Sequence, residues 1–331
     1  MSKELFGSKI QFQHGSFSDQ AYQKSIEFQP RSNDCFVVTP PKTGTTLLQF
    51  MCHLLRSAHN SSQHITKQEL EIWCKNSCNF EDLYQVAPWA MMAWDIGIDI
   101  TDMNYEQHCP VSNQIYPMRI FKSHQRLAAM NPGAKYIVTV RDPRTVLVSW
   151  YNFLKNHEAP PVLKYASASE FAFDKEFFAE GMRFGASLWE YYTEYLTCLK
   201  DPNVLVVVYE DLAKDIRSHL PTLARFLGLN NVSKDHMNEI ARLCSKENMM
   251  NNVSKFDESW TYQQLKNLKR CKFPDDFKPV PRVTSGSNPG VLNEETVKFL
   301  DDQWREKIET VTGIQSYPEL AQKIREEYAK R

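Results

Sequence analysis

The chain has 331 residues, with 39 Lys+Arg against 40 Asp+Glu and a formal net charge of −1. That near-balance argues against a protein that coats nucleic acid or an acidic membrane through bulk charge, although it says nothing about local clusters of cations. Hydrophobic residues are 42 % and charged residues 24 % of the chain, ordinary values for a packed globular protein that needs no staples.

In chain order, residues 1–32 are polar and weakly patterned. They read as an N-terminal arm, loose or wrapping, ahead of one domain over 33–331. The first residues, MSKELFGSKIQFQHG, lack the apolar h-region of a secretory signal. No run approaches the ~18 apolar residues of a membrane span. The eight cysteines are scattered and read as reduced thiols. A cytoplasmic protein is therefore expected. Cys74 and Cys78 share a helix face, but no second pair follows at zinc-site spacing, and no metal is expected.

Three short runs read as strands buried on both faces: residues 35–39 (CFVVT), 136–140 (YIVTV) and 204–208 (VLVVV). Residues 118–121 are a weaker fourth. Helical patterns cover residues 44–57, 143–153, 181–200, 211–227, 234–246, 293–310 and 318–330. Pro143 and Pro318 suit first-turn positions, and Gly228 suits a helix end. The alternation predicts an α/β fold around a mostly parallel sheet. Residues 257–290, rich in Lys, Pro, Ser and Gly, read as a long ordered loop of the kind that lids or binds.

The first strand leads into Pro40-Pro41-Lys42-Thr43-Gly44-Thr45-Thr46 and then a helix. The prolines stop the strand, and Gly44 permits a tight turn. The next amides emerge from a helix N-terminus, where free N–H groups and the macrodipole favour an anion. Lys42 adds a charge, and Thr45 and Thr46 add hydroxyls. The arrangement is a phosphate cradle. It is not a Walker A loop, whose lysine follows the glycine. A second cationic strand end follows at Arg141-Asp142-Pro143-Arg144, with Ser149 eight residues after Arg141. An Arg fork and a hydroxyl suit a phosphate.

Residues 41–46 resemble the phosphosulfate loop, Y-P-K-S-G-T-T-W, of the cytosolic sulfotransferases. Arg141 and Ser149 resemble the family's 3′-phosphate pair. The resemblance runs from about residue 33 to 317. It implies a P-loop-like sulfotransferase fold, with a mostly parallel sheet flanked by helices. It also implies 3′-phosphoadenosine 5′-phosphosulfate (PAPS) as donor and PAP as product. On this resemblance Lys42, Thr43, Gly44, Thr45, Thr46 and Leu47 form the donor loop. Tyr209, in Tyr209-Glu210-Asp211, lies by the adenine, and Arg282, Ser285 and Gly286 stand where a loop closes over the 3′-phosphate. Lys122-Ser123-His124 matches K-[TS]-H, making His124 the general base and Lys42 and Lys122 the charge-stabilising cations. The stretch VAPWAMMAWDIGI would line the acceptor side, with Trp89, Met91, Met92, Trp94 and Phe153 as candidate wall residues for a small, largely apolar molecule.

The chain departs from the family at several places. Leu47 stands for the loop's Trp, Cys244 and Lys246 stand for Thr and Phe of T-S-F, and Val283 stands for a lysine. The common dimerisation motif is absent, so oligomeric state stays open. Two other readings remain: an ATP-dependent P-loop kinase or hydrolase, and a nucleotide-binding module that catalyses weakly or not at all.

Overall fold

The computed structural model describes residues 17–59, 64–158, 160–182, 186–270, 279–284 and 286–331. Four parallel strands form the central sheet: β1 (Cys35–Val38), β2 (Ile120–Ser123), β3 (Lys135–Val140) and β4 (Val204–Val208). Their order is β2-β1-β3-β4. The chain leaves β1 for one side and then returns to the other, so a crevice opens at the carboxyl end of β1. Open α/β sheets bind ligands at such a switch point.

The strands show no polar alternation because both faces are covered. Phe36, Val38, Phe121, Val138 and Val206 enter one core, and Cys35, Val37, Ile120, Ile137 and Leu205 enter the other. The helices follow in chain order as α1 (Asp19–Glu27), α2 (Thr45–Ser57), α3 (Lys67–Ser77), α4 (Pro143–Asn156), α5 (Leu188–Thr197) and α6 (Tyr209–Lys214). Then come α7 (Ile216–Leu227), α8 (Lys234–Leu243), α9 (Lys246–Asn251), α10 (Ser259–Leu268), α11 (Glu294–Trp304) and α12 (Tyr317–Tyr328). α2 and α7 pack on one face, while α4, α5 and α12 pack on the other.

Several boundaries differ from the sequence expectation, each for a local reason. β2 begins and ends two residues late, which brings Lys122 and Ser123 into the strand; Arg119 just before it forms a buried ion pair with Asp34 at 2.6 Å. The expected helix over 181–200 begins at Leu188, where Ser187 and Glu190 form a capping box. The helix over 211–227 breaks at Asp215, whose backbone is non-helical and whose side chain caps α7 by accepting from the Ser218 amide. The helix over 234–246 stops at Leu243, and Ser245 caps the new helix α9. The long loop over 257–290 contains α10, while residues 271–278 lie outside the described residues.

α1 and α3 were not expected. A Thr66/Glu69 capping box starts α3, and that T-x-x-E signal was present in the sequence. Around α1, the described part of the arm is fastened down. Phe17 meets Trp89 edge-on at 4.8 Å, and Lys24 pairs with Asp99 at 2.7 Å. No described helix is long and apolar enough to cross a membrane. Among the described residues, no group of three or more His, Cys, Asp and Glu could hold a metal.

Candidate active site

The loop after β1 is built by its own side chains. Thr43 is fully buried; its hydroxyl donates to the Pro40 carbonyl at 2.8 Å and accepts from Thr139 of β3 at 2.7 Å. Thr45 and Thr39 share a hydroxyl contact of 2.5 Å. Lys42 takes a left-handed backbone at φ +66°, and Arg141 Nη1 donates to its carbonyl at 2.6 Å. Gly44 sits at φ +107° against the Tyr209 ring, where an added Cβ would lie 2.5 Å from Tyr209 Cδ2. Only glycine meets both demands. The Arg141 guanidinium in turn covers the same tyrosine ring at 4.4 Å.

This packing leaves the start of α2 open to an anion. Gly44 offers no side-chain cap, and no acidic residue lies in the first turn. The amides there keep their unsatisfied partial charge. Asp142 does not neutralise Arg141. It caps α4 by accepting from the Arg144 amide at 2.8 Å. Arg144 reaches away to Asp301.

One cleft collects Lys42, Gly44, Thr45, Thr46, Leu47, Arg141, Ser149, Tyr209, Arg282 and Gly286 with Lys122 and His124. Ser285 lies outside the described residues. Thr43 points into the body rather than the cleft, so it holds the loop instead of a ligand. Of the expected acceptor wall, Trp89 and Phe153 line the cleft. Met91, Met92 and Trp94 do not appear in that lining. The two methionines are buried in the core beside α4 and α5. Trp94 takes Lys24 and Arg270 against its ring, at 4.4 Å and 4.1 Å. Irregular backbone turns these three away, which a linear apolar run could not reveal.

The cationic side chains have separate supports. Lys42 Nζ lies over the Phe153 ring at 4.1 Å. Burial first, then Arg141 and Arg282, lower its pKa to about 7. Lys122 Nζ donates to the Tyr84 hydroxyl at 2.6 Å and lies over the Trp89 ring at 3.9 Å. Burial, Arg282 and Lys42 push its pKa well down. Burial also opposes the charge of Arg282, but Asp82, Tyr84 and Glu258 outweigh it and raise that pKa. Among the described residues, Arg141 Nε and Arg282 Nη1 are buried without a hydrogen-bond partner. Buried orphan donors are costly unless a ligand or water completes them.

His124 Nδ1 is 2.7 Å from the Thr39 carbonyl. A carbonyl only accepts, so Nδ1 carries the proton and Nε2 keeps its lone pair. Burial, then Lys122, hold the imidazole pKa well below its ordinary value and keep it neutral. The arrangement thus offers a neutral base beside an anion cradle. Sequence reasoning missed Asp82, Tyr84, Trp150 and Glu258. Trp150 and Glu258 line the cleft, and Asp82 and Tyr84 stand behind it. Nothing in the local sequence marks any of the four.

Residues 32–278 match the sulfotransferase domain family, and the chain belongs to it. It is 27 % identical over 209 residues to sulfotransferase 4A1 of Mus musculus, covering 62 % of this chain and 63 % of that protein. It is 26 % identical over 294 residues to luciferin sulfotransferase of Photinus pyralis, covering 85 % of this chain and 72 % of that protein. Its fold is similar to retinol dehydratase, solved in complex with androsterone and inactive cofactor PAP, with a TM-score of 0.60 and 18 % identity over 87 % of this chain and 85 % of that chain.

Proposed function

We propose that the chain moves a sulfuryl group from PAPS to the hydroxyl, or amine, of a small and largely apolar acceptor, with His124 as general base. The observation that carries this reading is one convergence. Lys42, Arg141 and the neighbouring pair Lys122 and His124 come from three separated segments to one cleft at an uncapped helix start. The residues fit the donor. The buried orphan Nε of Arg141, the Ser149 hydroxyl and the unshielded amides of α2 supply donors for phosphate groups at two places. Retinol dehydratase, solved with PAP, lends the fold its precedent.

When bound, the donor supplies an activated sulfuryl group on a phosphate leaving group. The chain's own residues do the rest. His124 Nε2 takes the acceptor proton, while Thr39 holds the other ring nitrogen and fixes the tautomer. Lys42 and Lys122 face the place where negative charge develops, as preorganised electrostatics. Trp89, Trp150 and Phe153 offer the acceptor an aromatic wall. Luciferin sulfotransferase and the androsterone complex are consistent with an apolar acceptor.

Incubation with radiolabelled PAPS and a panel of phenols, alcohols and amines, with EDTA present, tests the proposal. Label transfer supports it. Tight PAP binding without transfer across the panel would favour a nucleotide-binding module. Leu47 and Lys246 in the cleft, where the family has aromatics, are the observation on that side.

A further inference from the structure

Behind the catalytic lysine lies a buried chain of contacts joining segments 200 residues apart. Asp82 is wholly buried. Its Oδ1 accepts from Arg282 Nη2 at 2.7 Å and from the Tyr84 amide at 2.8 Å, and its Oδ2 accepts from Thr261 at 3.2 Å. The Arg282 side chain is 5 % exposed. It is tied a second time through Nε to the Phe256 carbonyl at 3.0 Å. Its guanidinium lies on the Tyr84 ring at 4.1 Å. The Tyr84 hydroxyl then accepts from Lys122 Nζ at 2.6 Å. Asp82 therefore reaches Lys122 through two intermediates, each fixed by contact.

We propose that Asp82 is a positioning residue for sulfuryl transfer, acting through Arg282 and Tyr84 to hold Lys122 in place and to favour its protonated form. This rests on the transfer reaction proposed above. The physical need is clear from the surroundings. Lys122 is buried beside two other cations, Lys42 and Arg282, with neutral His124 and Tyr84 against it. Glu258 and Asp82 oppose them. A desolvated ammonium among like charges tends to lose its proton. A fully buried carboxylate two contacts away works against that tendency and is little screened by solvent. Arg282 belongs to the segment expected to close over the donor. The same carboxylate thus clasps that segment to the short turn before the acceptor wall.

Two substitutions in the full chain test the proposal. Tyr84→Phe removes one hydroxyl and keeps the ring. It should lower kcat about tenfold and leave the KM for donor and acceptor within about threefold. Asp82→Asn removes the charge and keeps the shape. With ¹⁵Nζ-lysine-labelled, nucleotide-free protein, the Lys122 signal is identified by its loss in Lys122→Arg. Its titration midpoint should fall by about one pH unit or more in Asp82→Asn, with surface lysines unmoved. A purely structural role would not move that midpoint. Wild-type kcat in Tyr84→Phe, or an unmoved Lys122 midpoint in Asp82→Asn, overturns the proposal. Should Asp82→Asn fail to fold, Tyr84→Phe decides by the same signal, which must shift. Should the wild type transfer nothing, the reaction assignment falls, and the Lys122 midpoint still decides whether the relay exists.

Discussion

The two sides of the cleft are made differently. On the side of the anion cradle, residues 39–46 form a continuous loop whose hydroxyl hydrogen bonds close within the loop or onto Thr139 of β3, with Arg141 holding the Lys42 carbonyl. On the opposite, closing side, the contacts run between side chains of separate turns, strands and loops, such as Asp82 to Arg282 and Lys122 to Tyr84. A loop of this kind positions charge through its backbone, and substitutions there should change what binds. A side-chain clasp positions charge directly, and substitutions there should change turnover before they change affinity.

The largest expected effect divides the two sides. His124→Ala should cut kcat by about 10²–10⁴-fold while PAP binding, measured calorimetrically, stays nearly intact. Full activity would remove His124 from its role, and lost PAP binding would place it on the donor side. Next is pH. Lys42, with a pKa near 7 from burial and from Arg141, is a cation below that pH and neutral above it. An anionic ligand prefers the cation, so PAP affinity should fall as pH rises through that value, by at most about tenfold per unit for one proton. Lys42→Arg should flatten the dependence. A flat wild-type profile would show that Lys42 does not face the ligand.

Gly44→Ala places a Cβ in the Tyr209 ring at a strained φ. It should cost about 1–3 kcal/mol of stability, read as a lower Tm, and should weaken PAP binding because Tyr209 moves. An unchanged Tm would mean the ring has room to yield. The smallest effect is a gain. Leu47→Trp restores an aromatic face in the cleft, worth up to ~1–3 kcal/mol if the adenine stacks as bases do in single-strand binders. Unchanged PAP affinity would put the adenine elsewhere.

The same division explains what could be read from the chain. The four strands form close to where the residues suggested, and the loop after β1, Arg141 and Ser149, all contiguous patterns, line one cleft. Helix ends were harder. Asp215 and Ser245 each cap a new helix where hydrophobic period alone runs on. The expected acceptor wall meets the cleft only in part. Trp89 and Phe153 face the cleft, but Met91, Met92 and Trp94 are turned away by irregular backbone between short turns. Asp82 and Tyr84 could not be found at all, because their meaning lies in a guanidinium 200 residues further on.

The central claim is that cations from distant segments meet one donor, with Arg141 at its 3′-phosphate. It is tested most directly by calorimetric titration with PAP and with adenosine 5′-phosphate, which lacks only that phosphate, in the wild type and in Arg141→Ala. The account predicts that the wild type prefers PAP by about 10–100-fold, the value of a charge-assisted contact, and that Arg141→Ala abolishes most of the preference. Equal affinities in the wild type, or a preference that survives the substitution, would contradict it.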